Sequence, residues 1–168
     1  MSNKPTILFL ALIPRGYSTL GVAPYGPQYT FDLMSHKLAV PALIAWLREH
    51  GCEGYYVWSE RGETEAVETF SKAIEDIKPH ALGFSLVTEE FAAHYRVIEE
   101  LKRRFPEVPV ITGGPHVTAL PEHTLRRFPK VDFVVVGEGE RTLEELLPRI
   151  AEGKGKGCLL YTSDAADE

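Results

Sequence analysis

Three observations predict an α/β fold in which a parallel sheet is doubly wound, with helices on both faces. Apolar, β-branched runs recur along the chain, segments of helical period separate them, and the later runs break into glycine-bearing turns. Alternation of strand and helix favours parallel pairing, because each crossover is right-handed and lays its helix against one face of the sheet. A chain of 168 residues, 44% hydrophobic and 25% charged, suffices for one domain with a full core but not for two of ordinary size.

The elements follow in order. Residues 6–13 are an unbroken apolar run suited to a strand buried on both faces. Residues 14–37 are rich in Gly, Pro and Tyr, lack a period and exceed an ordinary strand-to-helix connection, so they are expected to be functional or mobile, a cover for the site. Val40, Leu43, Ile44 and Leu47 share one helical face, and Gly51 stands where a left-handed cap is wanted. Residues 53–58 supply the second strand. Ala66, Val67, Phe70, Ala73, Ile74 and Ile77 give the next helical stripe, which must stop before Pro79. Residues 81–86 form the third strand, followed by a helix with Phe91, Tyr95, Ile98, Leu101 and Phe105 inward and Pro106 at its end. The fourth strand, residues 108–112, leads through GGPH to a short helix around residues 121–128. The fifth, residues 133–136, leads through GEGE to a helix at residues 142–150. The expected result is a five-stranded Rossmann-like sheet of flavodoxin-like topology, order 2-1-3-4-5.

In such a sheet the turns at the carboxyl ends of the strands face the ligand crevice, and glycine lets a ligand approach the backbone. GGPH and GEGE are therefore ligand-facing candidates. GEGE is not a dinucleotide fingerprint, since it lacks the third glycine and follows the fifth strand rather than the first. Thr142 with Glu145 fits a capping box, so part of this motif serves equally to start a helix.

Composition narrows the function. A net charge of −6 and a pI near 5.6 argue against nucleic acid as a partner, because phosphate neutralisation needs a basic face. The apolar run at residues 7–13 is far short of a membrane span and stops at Pro14-Arg15-Gly16 without a cleavage pattern, which points to a cytoplasmic protein. Cys52 and Cys158 cannot form a cluster site or a disulfide scaffold. Residues 1–152 are read as the domain. Residues 153–168 are read as a disordered or artefactual tail, because a Gly/Lys run leads into the aperiodic CLLYTSDAADE, and Cys158 to Glu168 resembles translated sequencing-adapter DNA. The gene is accordingly expected to continue further.

GFSLVT at residues 83–88, then VPVITGGPHVTALPE and VDFVVVGEGERTLEELL, with LAVPALIAWLREHG upstream, closely resemble the N-terminal cobalamin (vitamin B12)-binding domain of cobalamin-dependent radical S-adenosylmethionine enzymes. The resemblance spans roughly residues 6–150, one domain's worth of chain. It implies a corrin ring held over the carboxyl edge of the sheet, with the nucleotide tail threaded between sheet and helices in a slot lined by small residues. Ser85 and Thr88, with Leu86 and Val87 between them, match the family's serine-bearing turn, where hydroxyls hydrogen-bond the tail. Gly113 and Gly114 match its glycine pair, where a side chain would block the tail, although glycines also make tight turns without any ligand. Gly137, Glu138 and Gly139 fall in the loop that the resemblance sets beside the corrin or the following module. His116 completes the candidate cofactor-binding set.

Many cobalamin carriers supply an axial histidine from a D-x-H-x-x-G motif after the first strand; this chain has none, and Asp32 and His36 have the wrong spacing. The resemblance therefore implies a base displaced from cobalt with no protein histidine replacing it. The lower face is then open, water-bound or covered by residues 14–37, where Tyr17, Tyr25, Tyr29 and Phe31 are available as a shield. No metal ligand or catalytic residue is expected in this chain. The family's radical module holds its 4Fe-4S cluster through C-x-x-x-C-x-x-C, absent here, so S-adenosylmethionine and the cluster are expected only in a downstream radical domain of the same parent chain, of methyltransferase type. The alternatives are a stand-alone corrinoid carrier and a different flavodoxin-like nucleotide-binding module. A response-regulator receiver is disfavoured, because Ile13-Pro14 and Ser85-Leu86 stand where it needs acidic residues.

Overall fold

The computed structural model describes residues 4–13, 39–60 and 62–154, and the backbone of 159–162. β1 is Thr6–Leu12, and its Ile7, Leu8, Phe9 and Leu10 are all buried, as a strand covered on both faces requires. α1 spans residues 39–49 and buries Val40, Ile44 and Leu47. Gly51 ends it at φ 82°, where the Cys52 N–H returns to the Leu47 carbonyl. β2 is Glu53–Ser59 and α2 is Glu63–Ile77. β3 is Ala81–Ser85 and α3 is Phe91–Arg104. β4 is Val110–Gly113, followed by α4, Pro115–Ala119, and α5, Pro121–Arg127. β5 is Phe133–Val136, α6 is Glu140–Ala151, and β6 is Leu159–Thr162.

The first five strands are parallel in the order β2-β1-β3-β4-β5, the order read from the sequence. One packing cluster joins Leu8, Leu82, Phe84 and Val134 to α2 and α3. The other joins Ile7, Phe9, Ile111 and Val135 to α1 and α6. Helices thus cover both faces, and Phe70 and Phe133, each fully buried, anchor the two sides.

Three details depart from the sequence reading. Leu159–Thr162, assigned to a tail outside the fold, pairs in parallel with β5 as a sixth strand. Without it the N–H and C=O groups of β5 would form an open edge, which a short segment rich in strand formers can close. GGPH, read as a loop, contains the start of α4: Gly114 takes φ 94° and Pro115 occupies the first helical turn, where its missing N–H costs nothing. α6 begins at Glu140 with Gly139 before it, so Thr142 is a buried residue inside the helix and no capping box forms. Residues 14–37, and with them Tyr17, Tyr25, Tyr29 and Phe31, lie outside the described residues.

The start of β4 is held by polar side chains. The Asp132 Oδ2 accepts the Val110 N–H at 2.7 Å and pairs with Lys102 Nζ at 3.0 Å, while Lys102 also donates to the Pro106 and Val108 carbonyls. Pro109 has no N–H to offer a ladder, so these contacts set where the strand starts.

Candidate functional site

The pairing of β1 with β3 stops at Phe9↔Gly83, although β1 runs on to Leu12. β2 leaves β1 on one side and β3 to β5 lie on the other, so the two halves of the sheet separate at the carboxyl edge. Ligands bind at such a switch point in open parallel sheets.

The turns after β3 and β4 interlock at this edge. Ser85 and Gly113 are partners in the parallel register. The Leu86 N–H donates to the Gly113 carbonyl at 2.9 Å, and the His116 N–H donates to the Leu86 carbonyl at 3.1 Å. The His116 Nδ1 lies 3.1 Å from the Thr88 hydroxyl, and its ring packs on Phe91 with centroids 4.2 Å apart. Partial burial, with His123 adding to it, holds the His116 imidazole below its ordinary pKa, so the ring is neutral near pH 7. Val87 is half-buried and its carbonyl accepts the Glu90 N–H, which opens α3. Ser85, Leu86, Val87, Thr88, Gly113, Gly114 and His116 therefore form one unit. The GEGE loop joins it through the Gly137 N–H, which donates to Thr118 Oγ1 of α4 at 3.2 Å, and its Gly137 and Glu138 are exposed.

The glycines have different reasons to be glycine. A Cβ on Gly114 would sit 2.8 Å from Leu86 N and 2.9 Å from Leu86 O, and φ is 94°, so the fold itself forbids a side chain there. A Cβ on Gly139 would press on Leu43 of α1 at 3.2 Å, so this glycine lets α1 lie close to α6. Gly113 differs: its Cβ would meet only ordinary contacts, Val135 O at 3.6 Å and Val135 Cβ at 3.8 Å. Packing leaves this position free for a side chain, and none is there.

Strand alternation gives the empty position its setting. Ala81, Ile111 and Val135 belong to the cluster under α1 and α6, so Gly83, Ser85 and Gly113, two residues along from them, face the same side. The Phe9 ring already fills the space over Gly83. Toward the carboxyl edge, beyond Gly83, this side of β3 and β4 carries the Ser85 side chain and the bare backbone of Gly113 next to Val135.

Residues 30–147, more than half of the chain, match the B12 binding domain family. This chain belongs to the B12-binding domain family. The B12-binding domain is 40% identical over 95 residues to an uncharacterized methyltransferase of Pyrococcus horikoshii, a match covering 54% of this chain and 21% of that protein. It is 37% identical over 71 residues to the cobalamin-dependent radical SAM methyltransferase TokK of Streptomyces tokunonensis, covering 42% of this chain and 10% of that one. The chain thus spans about a fifth or less of the length of these relatives. Its fold is shared with the cobalamin-dependent S-adenosylmethionine radical enzyme OxsB, solved with aqua-cobalamin and S-adenosylmethionine bound (TM-score 0.63, 16% identity, 90% of this chain and 19% of that chain). It is shared too with the radical S-adenosylmethionine methyltransferase TsrM of Kitasatospora setae (TM-score 0.63, 21% identity, 88% and 26%).

The residues of the B12-binding domain fit the cofactor its family takes. A cobalamin's nucleotide tail needs room between sheet and helices, and Gly113, bare beside Ser85 although a Cβ there would meet only ordinary contacts, leaves such room.

One residue of this edge escaped the sequence reading. His94 is 1% exposed, and its Nε2 accepts the Leu12 N–H at 3.0 Å while Nδ1 donates to the Glu90 carbonyl at 2.9 Å. Tyr95 was read as the inward residue of α3 instead. The spacing 91, 94, 98, 101 signals His94 as readily, and only its polarity hid it. Among the described residues no cluster of His, Cys, Asp or Glu could hold a metal ion, and no helix is long and apolar enough to cross a membrane.

Proposed function

We propose that this B12-binding domain holds a corrinoid over the carboxyl edge of β3 and β4, with the nucleotide tail at Ser85 and Gly113, in the service of a radical S-adenosylmethionine methyltransferase. The observation that carries the reading is Gly113, a position left bare beside the Ser85 hydroxyl although packing would admit a methyl group. Ser85 hydrogen-bonds the tail and Gly113 gives it room, while Gly114 holds the two turns close enough to form the slot. Thr88 and the neutral His116 fix one another at the rim, and the backbone of Gly137, Glu138 and Gly139 borders the corrin. A bound corrinoid would find no D-x-H-x-x-G histidine in this chain to take as a ligand.

When bound, methylcobalamin supplies a methyl group for transfer to a substrate radical; the protein positions it and keeps the tail ordered. The chain has two cysteines, Cys52 and Cys158, so it cannot itself hold a three-cysteine 4Fe-4S cluster. S-adenosylmethionine and the cluster belong to a downstream radical domain of the parent protein. The radical SAM methyltransferase TokK, far longer than this chain, supports that part of the reading. A cytoplasmic site of action belongs to the same proposal, supported by the free, buried thiol of Cys52.

The test reconstitutes the purified chain with hydroxocobalamin and passes it through desalting. The corrin absorption band should stay with the protein, and Gly113→Ala should weaken retention about tenfold or more at unchanged thermal midpoint, since one added methyl in a filled slot costs on the order of 1–3 kcal/mol. A retained flavin spectrum, or Gly113→Ala binding as well as wild type, would refute the placement.

A further inference from the structure

The crevice between β1 and β3 contains a buried titratable group that the cofactor reading does not use. Ile13 donates its N–H to Ser59 of β2, so by alternation the Leu12 N–H faces the β3 side. There β3 no longer runs alongside, because the register ends at Phe9↔Gly83. The acceptor that a strand carbonyl would have supplied is the His94 Nε2, at 3.0 Å. The other ring nitrogen donates to the Glu90 carbonyl, one turn upstream and directly after the Ser85–Thr88 turn. A single imidazole therefore spans the split, joining the end of β1 to the first turn of α3.

We infer that His94 is a positioning residue of the ligand edge, a latch whose neutral ring holds β1 and the β3–α3 turn at a fixed separation and whose protonation releases them. An imidazolium carries protons on both nitrogens, so Nε2 would confront the Leu12 N–H donor to donor, and that buried amide would be left without a partner. The cluster into which this face of α3 packs includes Leu10, Val67, Phe70 and Phe84, none of them ionisable. The Phe84 ring lies edge-on to the imidazole at 6.3 Å. Among the described residues, charged groups at this end of α2 and α3 include the Glu90 carboxylate just before α3, which acts on the Tyr56 hydroxyl of β2, and the Glu63–Arg96 ion pair between α2 and α3. Burial favours the neutral ring in the same sense.

The latch rests on the cofactor reading for what it positions, not for how it works, and the test separates the two. In the chain without cofactor, the protection of the Leu12 amide against hydrogen exchange, corrected for intrinsic rate, is followed by NMR from about pH 7.5 to about pH 5.5. Wild type should lose protection about tenfold across this range. His94→Gln, whose side-chain oxygen can accept the same N–H without titrating, should keep it, and His94→Leu should lack it throughout. Hydroxocobalamin retention should follow the same three patterns. A His94→Gln protein with the wild-type pH dependence at Leu12 overturns the latch, whatever His94→Leu does to folding. Wild type that shows the Leu12 pattern but retains no corrinoid leaves the latch standing and removes the cofactor reading. Retention that is indifferent to pH and to His94 while Leu12 responds removes the positioning role.

Discussion

Two adjacent glycines, Gly113 and Gly114, look alike in the sequence and differ in physics. Gly114 combines positive φ with backbone atoms of Leu86 inside van der Waals distance, so Gly114→Ala should cost about 2–4 kcal/mol, from left-handed strain and overpacking together. Gly113→Ala should cost less than about 1 kcal/mol, because its methyl meets only ordinary contacts. Urea denaturation of both variants checks the contrast, and equal losses would contradict the division of roles. The sequence marked the pair as ligand-facing candidates; it could not tell that packing forbids a side chain at one and admits it at the other, since that depends on what approaches each from β3 and β5.

His94 makes a prediction at the same scale. Its folded pKa lies below the unfolded value because burial penalises the charged ring. A depressed group contributes stability that is present above the unfolded pKa, about 6.5, and is lost as pH falls toward the folded value. Unfolding free energy should therefore decline below about pH 6.5, and the decline should be shallower in His94→Gln. The surface carboxylates act at lower pH. The Arg103 and Arg104 guanidiniums that hydrogen-bond Glu100 bring it down to about 2, and this exposed group adds only a weak term, lost as pH falls below its usual 4.5.

At the scale of elements, the apolar periods placed the helices within a few residues, and local polar contacts set their ends. α2 stops at Lys78, which takes φ 52° before Pro79, and α6 starts two residues before the anticipated Thr142, because a buried threonine cannot be a solvent-facing cap. β4 begins at Val110, later than the apolar run suggested, since Asp132 rather than a neighbouring strand receives that N–H. Asp132→Ala removes this acceptor and the partner of Lys102, whose side chain is 11% exposed. A loss of about 1–3 kcal/mol is expected in denaturant, with Asp132→Asn recovering part of it through its side-chain oxygen. No loss would mean that β4 is registered by its apolar packing alone.

For the whole molecule, both packing clusters of the described residues lie between Ile7 and Ile150, and β6 pairs with β5 at the edge of the sheet. Ending the chain after Lys154 should therefore leave cooperative unfolding and corrinoid retention in place, with the change confined to faster amide exchange along Phe133–Val136. Loss of cooperative unfolding would show that the sixth strand is part of the core. The interlocked turns, by contrast, draw on residues from Ser85 to Gly137 and could not survive a cut between them.

Periodicity placed the five strands and the helices between them, because burial repeats every two or 3.6 residues, and right-handed crossovers left few arrangements, the order 2-1-3-4-5 among them. Glycine-bearing turns marked the ends of β4 and β5 as ligand-facing candidates, and the family resemblance added the turn after β3. Only the tertiary structure decided that Ser85 and Gly113 share one face, that Gly114 is held by Leu86, and that His94 fills the gap between β1 and β3. Those facts arise from contacts between segments far apart in the chain, 82 residues in the case of Leu12 and His94, and no local pattern records such a meeting.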